Sequence, residues 1–158
     1  MANVFAGSEV VEIGIQIEKN GGDFYNELAK RSKNKKAAEI FRYLAEQEEK
    51  HIAVFKRILN TVQKYEPQES YPGEYFAYMN ALASEYVFTK KGKGRQIAKK
   101  IKNDKEAVEM GIGFEKDSIL FYIGIKQSIP KDDQNLIEEL IKQEKDHLRQ
   151  LTELKKKL

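Results

Sequence analysis

Two histidines occur in this chain, and each follows a glutamate by three residues: Glu48 with His51, and Glu144 with His147. In a helix that spacing stacks both side chains on one face, one turn apart. A carboxylate and an imidazole so placed can hold a metal ion between them. The first pair lies in "YLAEQEEKHIAVFKRIL", where Phe41, Leu44, Glu48, His51, Phe55 and Ile58 follow one another at steps of three and four. That is the spacing of a buried helix stripe. The second pair belongs to an equally regular series of Ile137, Leu140, Glu144, His147, Leu151, Leu154 and Leu158. Both pairs therefore stand where the pattern calls for apolar residues.

Two more stripes each carry one glutamate. Val11, Ile15, Glu18, Gly22, Tyr25 and Ala29 form the first, and Val108, Ile112, Glu115, Ile119 and Tyr122 the second. Four helices are predicted, from Ser8 to about Arg31, about Lys35 to Tyr65, near Asp104 to near Ser128, and across "SIPKDD" nearly to Leu158. The breaks "SKNKK" and "SIPKDD" are short, so each pair of helices forms an antiparallel hairpin. Glu18 lies 15 residues before Lys33 and Glu48 15 residues after it, which puts both carboxylates roughly 22 Å from the turn. Glu115 and Glu144 flank the second turn in the same way. All four glutamates can then share one layer in mid-bundle.

Ionised carboxylates in a low-dielectric core cost on the order of several kcal/mol each when unpaired. No lysine or arginine falls on these stripes, so the compensating charge would be metal. Two divalent ions neutralise four carboxylates, and each neutral imidazole adds a nitrogen ligand. Oxygen-rich coordination of this kind suits iron or manganese, or a mixed pair, whereas closed zinc sites usually carry more imidazole or thiolate. The competing reading is a metal-free bundle whose polar residues face a wet seam. Tyr25 and Tyr122 could hydrogen-bond metal-bound carboxylates, or serve as ordinary core tyrosines. Glu12 and Glu109 lie off the stripes and read as solvated, and the helical glycines, among them Gly14, Gly21, Gly22, Gly111, Gly113 and Gly124, read as points of close approach or space for the site.

The chain also repeats itself. "EVVEIGIQIEKNGGDFY" at 9–25 aligns without gaps on "EAVEMGIGFEKDSILFY" at 106–122, and each copy is followed by one Glu-x-x-His. The expected organisation is one all-α four-helix bundle over 1–158. Hairpin one spans about 8–65, a crossover about 66–103, and hairpin two about 104–157. After the turn-forming "YEPQESYPGE", the crossover holds one or two shorter helices broken at "KKGKG". Its length allows the second and third long helices to run parallel.

Composition narrows the class. Hydrophobic residues make up 41% of 158, enough for a real core, and the net charge of +3 is too small and dispersed to argue for nucleic acid. The basic run "KKGKGRQIAKK" reads as a solvated loop and helix face. The charged residues are mostly lysine and glutamate, as on a thermophile's surface. Without cysteine there is no disulfide, rubredoxin-type or iron-sulfur centre. No apolar run is long enough to span a bilayer and "MANVFAGSEVVEIG" does not read as a signal peptide, so a soluble cytoplasmic protein is expected.

Glutamate, Glu-x-x-His, a long crossover, glutamate and a second Glu-x-x-His together resemble rubrerythrin-type proteins of the ferritin-like superfamily, over about residues 8–155. The resemblance implies that Glu48 and Glu144 bridge two irons, that Glu18 and Glu115 are terminal ligands, and that His51 and His147 bind one metal each. It further implies redox chemistry, in which a reduced di-iron centre takes up peroxide or dioxygen and splits the oxygen–oxygen bond with two electrons. Rivals in function are a ferroxidase that handles iron without turning over peroxide, and a helical scaffold with an incidental metal. A homodimer is expected on the same resemblance.

Two departures stand out. The family's cysteine-bearing rubredoxin domain, which feeds electrons to the irons, has no counterpart among these residues, so the electron donor is expected to be a separate molecule. The family's additional glutamate three residues after the third-helix ligand is Ser118 here. A plain six-ligand site without iron movement is therefore expected.

Overall fold

The computed structural model describes residues 7–64 and 73–158. The expected end of the second helix at Tyr65 and most of the "YEPQESYPGE" turn lie outside the described residues, as do the first six residues of the N-terminal stretch. Among the described residues there are six α-helices: α1 (Gly7–Arg31), α2 (Lys35–Lys64), α3 (Gly73–Glu85), α4 (Lys93–Lys100), α5 (Asp104–Ile125) and α6 (Lys131–Lys155). Single 3-10 turns follow α3, at Val87–Thr89, and α5, at Lys126–Ser128. No strand occurs among the described residues.

Local chemistry sets the helix starts. Asn34 begins α2 by accepting from the Ala37 amide at 3.0 Å. Asn103 caps α5, its side chain accepting from the Glu106 amide at 2.9 Å, while Glu106 reaches back to the Lys102 amide at 3.1 Å. Pro130 precedes α6, whose first turn carries Asp132 and Asp133 where the helix dipole favours negative charge. The N-terminus of α5 is in turn tied to the first hairpin turn, through Asp104 accepting from the Ser32 hydroxyl at 2.7 Å and the Asn34 amide at 3.1 Å.

Helix directions follow from paired residues. Tyr25 meets Glu115 while Tyr122 meets Glu18, so α1 and α5 are antiparallel. His51 meets Glu144 while Glu48 meets His147, so α2 and α6 are antiparallel as well. Gly14 beside Phe55 and Gly21 beside Glu48 make α1 and α2 an antiparallel hairpin. It follows that α2 and α5 run parallel, as the long crossover allows. The result is a ferritin-like four-helix bundle, in which like helices of the two halves, α1 with α5 and α2 with α6, face each other across the centre.

The predicted stripes are the core. Val11, Phe41, Leu44, Phe55, Ile58, Val108, Tyr122, Ile137 and Leu151 are all fully buried, and each such side chain contributes about 1.5–3 kcal/mol relative to exposure. Of the other stripe positions, Gly22, Ala29, Ile112 and Ile119 are only half-buried, and two expectations fail outright. Leu158 lies beyond the end of α6 and is exposed, because the helix frays into turn after Lys155. Gly113 has open space where a side chain would stand, so it marks no close approach. Gly21 does: an added methyl there would meet Glu48 Oε2 at 2.9 Å.

The crossover packs on α1, which is why α1 is buried on two sides. Asn20 is the clamp. Its buried amide donates to the carbonyls of Phe88 at 2.6 Å and Lys90 at 2.7 Å, and its oxygen accepts from the Gly94 amide at 3.0 Å. Gly94 sits so close that a Cβ would collide with the Asn20 backbone carbonyl. The basic run lies on the outer face, with Lys90, Lys91, Arg95, Lys99 and Lys100 exposed while Gly94 and Ala98 face inward. Replacing Asn20 by alanine orphans three backbone groups, each costing about 1–3 kcal/mol if it stays dry. The expected loss is about 3 kcal/mol in urea unfolding; a loss within experimental error would show that the clamp does not hold the crossover.

Candidate metal centre

All six sequence-predicted ligands are buried: Glu18 and Glu144 at 0% exposure, His51 at 1%, Glu115 and His147 at 2%, and Glu48 at 4%. They converge in two sets. Glu18, Glu48, His51 and Glu144 bring one ligating atom each within 4.8 Å of one another, and Glu48, Glu115, Glu144 and His147 do the same. Glu48 and Glu144 belong to both sets. The histidine rings stack at 5.6 Å and 15°, with both Nδ1 atoms turned to the carboxylates. His51 Nδ1 lies 2.8 Å from Glu144 and 3.4 Å from Glu18, and His147 Nδ1 lies 3.3 Å from Glu144 and 3.4 Å from Glu48.

Buried polar atoms are nearly always hydrogen-bonded. Here both histidine Nδ1 atoms, both oxygens of Glu144, Oε2 of Glu18 and of Glu115, and Oε1 of Glu48 are buried without a hydrogen bond. These are donor atoms of the two sets, aimed at a common centre. The residues fit a pair of divalent ions: four carboxylates for charge, two nitrogens, and, among the described residues, no buried lysine or arginine in competition.

Protonation supports the same picture. Burial pushes the Glu18 and Glu115 carboxyls well above the usual range, Glu48 and Glu144 adding to this for Glu18, and Glu144 and Glu48 for Glu115. Glu144 goes the other way. Burial opposes its charge, but the close approach of Glu115, His147 and His51 holds it well below the usual range. Burial also opposes a charged His51, yet the Glu18 charge and contacts with Glu144 outweigh it and push that ring up to about 12. His147 is raised to about 9 against the same burial, by Glu144 and Glu48. Without metal, protons neutralise the cluster.

The tyrosines do what the sequence left open. Tyr25 donates to Glu115 Oε1 at 2.6 Å, and Tyr122 donates to Glu18 Oε1. Each tyrosine therefore holds the carboxylate of the opposite hairpin. Burial raises both phenols, which keeps them as donors rather than anionic ligands. Phe24, Phe41 and Phe55 pack against these rings.

Three residues to which the sequence reading gave no contact at the site contribute to it: Tyr86, Ser118 and Gln143. Tyr86, from the irregular segment after α3, donates to the Phe114 carbonyl at 3.0 Å and lies 2.8 Å from the Ser118 hydroxyl. It follows no helical pattern that could have flagged it. Together with Ile17, Glu48, Phe88 and Glu115, these residues enclose a cavity of about 10 Å³, the size of one water. Ser118 thus lines this space on the Glu115 side, where a longer side chain would fill it. The third is Gln143, whose Oε1 lies 2.8 Å from His51 Nε2.

Four bundled helices with a carboxylate from each, two of them as Glu-x-x-His, form the arrangement of dinuclear carboxylate proteins of the helical-bundle class. A solved structure agrees: a Thermotoga maritima protein described as a ferritin-like diiron-carboxylate protein is 26% identical, with a TM-score of 0.74, over 96% of this chain and 95% of that one. The rubrerythrin family model matches residues 9–155, and the chain belongs to that family. No curated protein matches significantly.

Proposed function

We propose that this protein is a di-iron oxidoreductase that reduces hydrogen peroxide or activates dioxygen. The observation that carries the reading is the convergence of seven buried, unbonded donor atoms from six side chains in two sets that share Glu48 and Glu144. In this proposal those two carboxylates would serve both irons, Glu18 with His51 would complete one set, and Glu115 with His147 would complete the other. Manganese or a mixed pair satisfies the same ligands. When bound and reduced, the pair supplies two electrons for cleavage of an oxygen–oxygen bond. For peroxide, two electrons and two protons yield two waters.

The chain's own groups supply the setting. Tyr25 and Tyr122 hold Glu115 and Glu18 in place, and the space beside Glu48 and Glu115, about the size of one water, leaves no room for a bulky oxidant. The Tyr86 and Ser118 hydroxyls line that cavity as hydrogen-bonding partners. The electron donor in this proposal is a separate molecule; these 158 residues hold no cysteine for a second centre of the rubredoxin kind. A cytoplasmic setting is part of the proposal; among the described residues no helix is long and apolar enough to cross a membrane.

The test is anaerobic loading with ferrous iron, followed by peroxide and a chemical reductant. Sustained peroxide consumption with a new near-ultraviolet iron absorption supports the reading. Stoichiometric iron oxidation and retention without turnover supports the iron-handling rival, and no iron uptake defeats both.

We also propose a homodimer. Support comes from large apolar side chains exposed on two helices that pack together, Leu120 at 44% and Ile123 at 50% on α5 and Tyr78 at 44% on α3. Sedimentation equilibrium should give twice the 18.3 kDa chain mass, and a monomer at micromolar concentration would refute it.

A further inference from the structure

The hydrogen bonds around the centre pass between the two hairpins, and one of them bears on which histidine nitrogen is free. His51 Nε2 faces the side-chain oxygen of Gln143 at 2.8 Å, an acceptor, so Nε2 carries the ring proton when the imidazole is neutral. The lone pair is then on Nδ1, the atom buried against Glu18 and Glu144 without a hydrogen bond. Gln143 immediately precedes Glu144, and Gln47 immediately precedes Glu48, so both halves read Gln-Glu-x-x-His. Gln47 lines a surface recess together with His147, Tyr43 and Gln143. By the internal repeat Gln47 corresponds to Gln143 and His147 to His51, and Gln47 and His147 line that recess together.

We propose that Gln143 and Gln47 are positioning residues, each fixing the Nδ1-ligating tautomer and ring orientation of the histidine on the opposite hairpin. This rests on the metal-centre reading and adds to it a reason for the duplicated glutamine. Each half brings the ligands, and the other half orients them. A metal-ready site thus exists only when the hairpins are docked. Gln143 already makes its contact, so its effect is the larger.

The experiment measures Co2+ binding and its visible spectrum in wild type, Gln143→Leu, Gln143→Glu and Gln47→Leu, with thermal unfolding to confirm folding. Loss of a histidine's outer partner weakens metal binding by about 10- to 100-fold. Gln143→Leu should show that loss at one of two ions, with an altered spectrum for that ion alone, and Gln143→Glu, which keeps an acceptor, should restore it. In the Zn2+-loaded protein, NMR should show a His51 ring N–H protected from solvent exchange in wild type and not in Gln143→Leu. Unchanged affinity with the protected N–H retained in Gln143→Leu overturns the proposal, as does an equal loss at both ions, which would mark a general packing defect. Unchanged affinity in Gln47→Leu removes its Gln47 half. A wild-type protein that takes up no Co2+ instead defeats the metal-centre reading beneath it.

Discussion

Glu144→Ala is expected to remove binding of both metal ions, not of one. Glu144 belongs to both ligand sets, and each of its oxygens is buried without a hydrogen bond. Its loss leaves each set with three residues, whereas Glu115→Ala depletes only one set. Titration with Mn2+ should therefore show two ions in wild type, one tight ion in Glu115→Ala and none in Glu144→Ala at the same concentrations. The stabilisation that metal confers, about 4 kcal/mol at a thousandfold excess over the dissociation constant, should vanish with it. The metal-free variant also suffers, because Glu144 is the ionised partner facing both histidines. Breaking such a buried arrangement costs about 3–5 kcal/mol. Retention of two tight ions would show that Glu144 is no bridge.

The second large effect is a divergence with pH between metal-free and loaded protein. In the metal-free fold, His51 is raised to about 12 and His147 to about 9 from an ordinary 6.5, and Glu18 and Glu115 are raised as well. Raised groups retain protons that the unfolded chain releases. The histidine contribution is therefore fully present below pH 6.5 and declines above it, that of His147 being spent by about 9. Each retained proton gives a slope of about 1.4 kcal/mol per pH unit. Metal replaces those protons, so its affinity rises over the same range. Calorimetry from pH 6 to 9 should show the metal-free melting temperature falling while the Mn2+-loaded one stays level. Parallel curves would mean that metal and protons do not compete for these groups.

Much of this was legible in the sequence because helix periodicity converts spacing into direction. Glu18, Glu48, His51, Glu115, Glu144 and His147 could be placed on inner faces by counting threes and fours, and set at one height by counting from the turns. The duplication reinforced both, since an internal two-fold relation makes contacts across the centre come in reciprocal pairs, as Tyr25 with Glu115 and Tyr122 with Glu18 do. The crossover was not legible in this way. Asn20 and Phe24 seemed to lie off the α1 stripe, and only the chain packed on that side explains why Asn20 is 1% exposed and Phe24 is fully buried. Tyr86 sits outside any helix, so no period marks it, and its role depends on where an irregular segment returns to the bundle. Gln143 carried a signal in the repeated Gln-Glu pair, but a glutamine beside a core stripe gives no indication of which hairpin it serves.

Diffraction at the iron absorption edge from crystals of the protein loaded with ferrous iron tests the central claim most directly. Two anomalous peaks about 3.5–4 Å apart are expected, flanked by the Glu48 and Glu144 carboxylates, with Nδ1 of His51 on one and Nδ1 of His147 on the other. A centre without anomalous density, or iron bound only at surface carboxylates, would contradict the account.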